Sequence, residues 1–221
     1  MLLHGSEQIH DMAVVGGLPD QDWYLTANRS FSSYSAVIDG MTGDLDLSSV
    51  DMQRLDVAGT AVLESALVSD FGGNLSLNWL VGEVASPPSA NFVRVQGAAC
   101  GTNCNGSDRY RMRFYETTYA IPRFNNSGTQ ATVLLIQNLT DRSCRMASYF
   151  IGASGNLISS TEITLTPRQL DVFPTTFSAA NQAGSVRIAH TCGYGGLAGK
   201  AVSVEPATGF TFDTQMVHRP H

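Results

Sequence analysis

Lysine is almost missing from this chain: Lys200 is the single copy among 13 basic residues. Charged residues make up 14% of the 221, against about a quarter in an ordinary soluble domain. No stretch of useful length repeats with helical periodicity, which argues against a helical architecture. No apolar run approaches the roughly 18 residues of a membrane-spanning helix; the longest, Ala131 to Ile136, is strand-sized. The opening Met1-Leu2-Leu3-His4-Gly5-Ser6 has neither the basic region nor the apolar core of a signal peptide. The expectation is therefore a cytosolic chain or a piece of a longer exported protein. There is no basic patch, and the net charge is −6, so nucleic acid is not the expected partner. The nucleophile signatures G-x-S-x-G and S-x-x-K are missing, and so is EF-hand spacing. The expectation is that the chain is not an enzyme.

What is present is the material of short strands and polar turns. Gly stands at 21 copies, apolar residues reach 43%, and Ser, Thr and Asn are abundant. In the N-terminal half, strands are expected over Met12–Val15, Trp23–Asn28, Tyr34–Ile38, Met52–Asp56, Ala61–Leu67, Leu75–Trp79, Asn91–Gln96 and Arg109–Tyr115. In the C-terminal half they are expected over Thr129–Gln137, Arg145–Ile151, Leu157–Leu165, Gln169–Phe173, Ser185–His190, Gly199–Val204 and Phe210–Thr214. Strands at such spacing, with turn signals between them, predict sandwiches or jelly rolls. Trp23 is expected to be a buried anchor, with Asp22 and Tyr24 facing the other way.

Charge is uneven along the chain. Residues 1–110 hold 13 acidic and 4 basic residues (net −9), whereas residues 111–221 hold 6 and 9 (net +3). The break predicts two domains, 1–115 and 116–221. Between them, Glu116 to Gly128 contains Pro122 and the turn-forming Asn125-Asn126-Ser127-Gly128, and reads as a short linker. Its Tyr119, Ile121 and Phe124 are too apolar for a free tether, which predicts a packed seam.

Four cysteines, Cys100, Cys104, Cys144 and Cys192, allow two disulfides, free thiols or a zinc site. Cys100 and Cys104 can close a tight loop, leaving Cys144 and Cys192 to pair across the second half. Zinc ordinarily wants two close pairs. In the chain-entropy account the small loop contributes about 2 kcal/mol and the large one about 4 kcal/mol. Disulfides would place the chain in an oxidising compartment, secreted or at a cell surface.

The series Asp20-Gln21-Asp22-Trp23-Tyr24, Tyr34-Ser35-Ala36-Val37-Ile38-Asp39, Leu55-Asp56-Val57-Ala58-Gly59-Thr60, Phe92-Val93-Arg94-Val95 and Asp108-Arg109-Tyr110-Arg111-Met112 resembles the bacterial pre-peptidase C-terminal (PPC) type of β-sandwich domain. The later series Thr132-Val133-Leu134-Leu135-Ile136-Gln137-Asn138, Leu165-Thr166-Pro167-Arg168-Gln169, Gly184-Ser185-Val186-Arg187-Ile188 and Gly209-Phe210-Thr211-Phe212-Asp213-Thr214 resembles a sandwich found at the ends of secreted bacterial proteins, where it is a stalk or surface module. The resemblance to PPC-like domains, some of which bind calcium, implies that Ca²⁺ is the one metal to consider.

Candidate calcium ligands are Asp20, Asp22, Asp39, Asp44 and Asp46, because Ca²⁺ takes six to eight oxygens from carboxylates and carbonyls. A solvated acidic loop is the competing reading. Tyr115, Tyr119 and Phe124 at the seam are the candidate binding residues. Asn28, Asn74, Asn105, Asn125 and Asn138 begin N-x-S/T sequons, which a Ser/Thr-rich chain of bacterial type produces by coincidence.

The sequence thus predicts an all-β chain of two tandem antiparallel, jelly-roll-like β-sandwich domains. Its expected role is a non-catalytic extracellular binding or structural module of an exported bacterial protein, with a glycan or protein as partner. One alternative is a filament, fibre or virion subunit in which copies of the chain join by strand addition, with Met12–Val15 or Phe210–Val217 as donor. A second is an extracellular hydrolase with its site at the seam.

Overall fold

The computed structural model describes residues 1–14, 20–68, 74–84, 89–97 and 104–220. The chain divides into two compact units. The first comprises Met1–Ser30, Ser35–Asn78 and Glu83–Glu116; the second comprises Phe31–Tyr34, Trp79–Gly82 and Thr117–His221. The last crossing from one to the other falls between Glu116 and Thr117. Two short segments of the N-terminal half thus count with the second unit, which the charge break alone did not foresee.

The N-terminal strands are β1 (Ser6–Asp11), β2 (Gln21–Asn28), β3 (Ser32–Asp39), β4 (Val50–Leu55), β5 (Val62–Ser65), β6 (Leu67–Val68), β7 (Leu75–Val81), β8 (Ser89–Gly97) and β9 (Arg109–Glu116). They form a five-stranded sheet in the order β1-β9-β3-β7-β6 and a four-stranded sheet in the order β2-β8-β4-β5. Taking β5 and β6 as one strand interrupted at Ala66, where it changes sheets, this is the two-Greek-key order of a jelly roll. Period-2 alternation builds the core: Leu75, Leu77, Trp79 and Val81 of β7 are buried and the residues between them are half-buried. Tyr110, Met112 and Phe114 of β9 point inward in the same way. Ile38, Met52, Leu55, Val93 and Val95 are at most 1% exposed, and each such side chain stabilises the fold by about 1.5–3 kcal/mol.

The expected Met12–Val15 strand is displaced. The strand is β1, whose exposed Ile9 and half-buried Gln8 and His10 give no apolar signal, and Val15 lies outside the described residues. Met12 is 1% exposed just beyond it, its N–H donating to the Asp108 carbonyl at 2.8 Å.

The second unit contains β10 (Tyr119–Asn125), β11 (Ala131–Asn138), β12 (Cys144–Gly152), β13 (Leu157–Leu165), β14 (Leu170–Pro174), β15 (Ala183–His190), β16 (Leu197–Glu205), β17 (Phe210–Gln215) and β18 (Val217–His218). Its sheets run β13-β12-β15-β10-β18 and β14-β11-β16-β17. That order differs from the jelly roll of the first unit, so the halves are unlike sandwiches and not repeats. Ile121, Phe124, Leu134, Ile136, Phe150, Leu165, Val186 and Ile188 form its main core. The other face of β12 is buried as well. Ala147, Tyr149, Ile151 and Ala189 make a smaller cluster against which Phe31 and Leu80 pack, with the Phe31 and Tyr149 rings 4.9 Å apart.

The linker expectation is corrected here. Tyr119–Asn125 is not a connector but a strand of the second sandwich, paired with β15 from Tyr119↔Ile188 to Asn125↔Ala183. Pro122 is tolerated because the register slips between Ile121 and Phe124. The bulge frees Pro122 from donating to the ladder. Phe124, 0% exposed, meets Phe150 edge-to-face at 5.3 Å.

Cys144 opens β12 and Cys192 follows β15, its partner strand; the two are joined as a disulfide. Cys104 is also disulfide-bonded, whereas Cys100 lies outside the described residues. Both free thiols and zinc are thereby excluded for Cys104, Cys144 and Cys192. Among the described residues no helix is long and apolar enough to cross a membrane.

Candidate functional site: a polar cleft between two edge strands

β1 and β2 are the first strands of the two sheets of the N-terminal unit. Between them opens a cleft of about 550 Å³ lined by Ile9, His10, Asp11, Asp20, Asp22 and Arg109, a volume suited to a small ligand. Antiparallel pairing of β1 with β9 sets His10 opposite Tyr110 and Asp11 opposite Arg109. Alternation along β2 then sends Asp22 and Tyr24 to the cleft side and Trp23 to the opposite face.

A chain of hydrogen bonds links these strands. The Tyr110 hydroxyl donates to Asp22 Oδ2 at 2.6 Å. A phenol has one proton, so Tyr110 can only accept from the Tyr24 hydroxyl, 2.7 Å away. His10 stacks on Tyr110 at 6.0 Å and meets Tyr24 edge-on at 5.4 Å. Its Nδ1 stands 3.4 Å from Asp22 Oδ1 and its Nε2 3.2 Å from Gln8 Oε1. Burial pushes the carboxyl of Asp22 above the usual carboxylate range, opposed by the Tyr110 hydrogen bond and by His10. Asp20 and Asp11 add to the upward push. Burial also drives both phenols well above their ordinary value, which fixes Tyr110 as a neutral donor.

Asp11 and Asp20 are less committed: one oxygen of each accepts a nearby backbone N–H, from Ala13 at 3.2 Å and Gln21 at 2.8 Å. Arg109 donates through Nε to the Gly106 carbonyl at 3.2 Å. His10 and Asp22 thus line the cleft above the buried, hydrogen-bonded Tyr24 and Tyr110, together with the carboxylates of Asp11 and Asp20 and the Arg109 guanidinium. The cleft can orient hydroxyl, amide or charged groups of a small polar ligand.

The structure brings together only two of the five acidic candidates, Asp20 and Asp22. Asp39 is 5% exposed and held by Arg111 at 2.6 Å and by Arg113. Asp46 caps its own turn, accepting from the Ser48 and Ser49 N–H groups at 2.8 and 2.9 Å. The Asp44 N–H donates to Asp108 Oδ1 at 2.7 Å, and Asp108 Oδ2 accepts from the Asn105 N–H at 2.7 Å. A buried aspartate therefore organises that loop. Among the described residues no group of three or more His, Cys, Asp or Glu is arranged to hold a metal ion. The five aspartates do not converge as one ligand set.

The seam candidates belong to different units. Tyr115 is half-buried on β9, its ring 6.0 Å from that of His4. Tyr119 and Phe124 belong to the core of the second unit at 7% and 0% exposure. Phe124 therefore presents no face to a ligand. Of the sequon asparagines, Asn28, Asn125 and Asn138 are buried, so none of these three could carry a glycan in the folded protein.

The orientation of Trp23 is also corrected. It is 43% exposed, whereas Tyr24 is 5% exposed. Alternation is as read, but the faces are exchanged, because the bonds from Tyr24 through Tyr110 to Asp22 can form only if that side of β2 faces inward. His10, Tyr110 and Arg109 were missed as site residues. They lie some 90 residues from Asp22 in sequence or on another strand, and no local motif joins them.

No family model matches the chain, and no curated protein matches it. Solved structures similar in part include a glycosyl hydrolase family 2 member from Bacteroides cellulosilyticus, with 10% identity, 94% of this chain and 27% of that one covered, and a TM-score of 0.25. A β-glucuronidase from Bacteroides uniformis gives 11% identity, 89% and 25% coverage, and a TM-score of 0.23. The chain spans about a quarter of the length of these proteins. Likeness at this level carries no argument about function.

Proposed function

We propose that this chain is a non-catalytic β-sandwich module of an exported protein, serving surface attachment, ligand presentation or support of a neighbouring domain. Its partner on this reading is an extracellular glycan or protein. The observation that carries the reading is the cleft between β1 and β2: a polar cleft at a sheet edge lined by His10, Asp11, Asp20, Asp22 and Arg109, with Asp22 and His10 tied into a hydrogen-bonded network over buried tyrosines. The site groups are engaged with one another as donors and acceptors. That suits orientation of a ligand better than activation of a nucleophile, which needs a nucleophile bonded to its own base. The disulfide between Cys144 and Cys192 supports an oxidising compartment.

The test is an array of extracellular glycans and matrix proteins probed with the intact chain, in calcium and in chelator. Specific binding of at least one arrayed partner, retained in chelator and lost in an Asp20→Asn, Arg109→Gln variant that still folds, is the expected result. Turnover of chromogenic glycosides or peptides by the wild-type chain would overturn the non-catalytic assignment. Four titratable thiols in protein isolated without reductant would overturn export.

A further inference from the structure

The face of β2 turned away from the cleft carries a second constellation. Register places Trp23 opposite Arg94 and Arg94 opposite Gln53. One rung along, Gln21 lies opposite Gln96, and Gln96 opposite Asp51. The sheet β2-β8-β4-β5 thus presents two parallel rungs of side chains, about 7 Å apart along the strands, with about 4.8 Å between neighbouring strands.

The aromatic member is exposed and fixed. Trp23 is 43% exposed. Phe92 meets it edge-on at 5.9 Å, and the Arg94 guanidinium lies over one face of the ring, 5.5 Å from its centroid, so a stacking partner takes the other face. Gly59, at φ +71°, brings the β4–β5 turn so close that a Cβ there would lie 3.2 Å from the indole Cζ3. The indole therefore keeps its orientation without a ligand, which spares the entropy of ordering it on binding.

The polar members are held too. Arg94 donates to Gln53 Oε1, and Gln96 donates to Asp51 Oδ2 at 3.3 Å. The ionised side chains on the two rungs are Arg94 and Asp51, which cancel. A flat apolar surface beside a charge-balanced row of amide, guanidinium and carboxylate groups fits a partner with no net charge. That partner needs one apolar face and a rim of hydroxyls. Those are the properties of a pyranose ring.

We propose that this outer face binds an uncharged glycan, with a sugar ring stacked on Trp23 and its hydroxyls bonded by Arg94, Gln53, Gln96 and Asp51. The proposal rests on the reading of the chain as a binding module and adds a second site, for an uncharged glycan, at a face distinct from the cleft, so this binding should persist in the Asp20→Asn, Arg109→Gln variant.

The test is affinity electrophoresis and titration calorimetry of the intact chain with neutral polysaccharides: mixed-linkage β-glucan, xyloglucan, arabinoxylan and galactomannan. Alginate and polygalacturonate serve as anionic counterparts. At least one neutral polysaccharide is expected to bind. Trp23→Ala should weaken that binding by at least about tenfold, and Gln53→Ala should weaken it less. Phe177→Ala, which removes an aromatic that is 87% exposed elsewhere in the chain, should leave it unchanged. Circular dichroism and the urea midpoint establish that each variant is folded. Binding that survives Trp23→Ala intact, or that is confined to anionic polysaccharides or to proteins, overturns the proposal and leaves the module reading standing. No binding to any glycan or protein by the wild-type chain overturns both.

Discussion

Acid should destabilise this protein in part through one buried residue, His190. Its side chain is 1% exposed at the end of β15. Tyr119 stacks on it at 5.5 Å, and its Nδ1 accepts from the Cys192 N–H at 3.3 Å. Burial pulls the imidazole down from 6.5 to about 4, with His218 adding to the fall and the Thr117 main chain opposing it. A depressed folded-state value means that the unfolded chain takes up a proton first as pH drops. The stability contributed by neutral His190 is complete above pH 6.5 and is lost as pH falls toward 4. At about 1.4 kcal/mol per pKa unit, the whole loss is roughly 3 kcal/mol. About 2 kcal/mol of it is gone by pH 5.

The measurement is urea denaturation of the oxidised protein by circular dichroism, between pH 7 and 4.5, for wild type and His190→Asn. Asparagine keeps an acceptor for the Cys192 N–H and removes the titration. The variant is expected to start less stable at pH 7 and to show a flatter profile across the window. Parallel profiles would refute the assignment, whatever the absolute stabilities.

Three further outcomes follow from the geometry. Replacing Cys144 and Cys192 by serine opens a loop with a sequence separation of 48 and should lower stability by about 4 kcal/mol, read as a fall in the urea midpoint; an unchanged midpoint would contradict it. Gly184→Ala would set a Cβ 2.0 Å from the Ile151 carbonyl oxygen, so β15 must separate from β12, with an expected loss of about 2 kcal/mol or more. A thermal midpoint equal to wild type would refute that contact. Tyr110→Phe removes both the donor to Asp22 and the acceptor for Tyr24, at about 1–3 kcal/mol. Without that hydrogen bond the Asp22 carboxyl should titrate higher still, by carboxyl-carbon NMR, and a downward move would sink the network. Because burial already raises Asp22, its contribution has the opposite sign to that of His190: it favours the fold as pH falls and is lost as pH rises through the folded value.

The amino-acid order alone determined the class and most of the strands. Alternation in Leu75-Ser76-Leu77-Asn78-Trp79 and in Arg109-Tyr110-Arg111-Met112-Arg113-Phe114 states which side chains share a face, because the pleat has period 2 whatever surrounds it. The spacing of cysteines 144 and 192 already allowed their disulfide. What alternation leaves open is which of the two faces is the inner one. At β2 the large indole suggested the wrong face, and only the tyrosine pair and Asp22, brought together from β2 and β9, decided it. Pro122 misled for a similar reason: it argues against a strand unless a bulge excuses its missing N–H, and a bulge exists only once β15 lies alongside. The cleft was illegible for the deepest reason. Its floor joins β1, β2 and β9 across sheet edges, and which edges meet is fixed by the jelly-roll crossings, a property of the folded chain that no segment carries by itself.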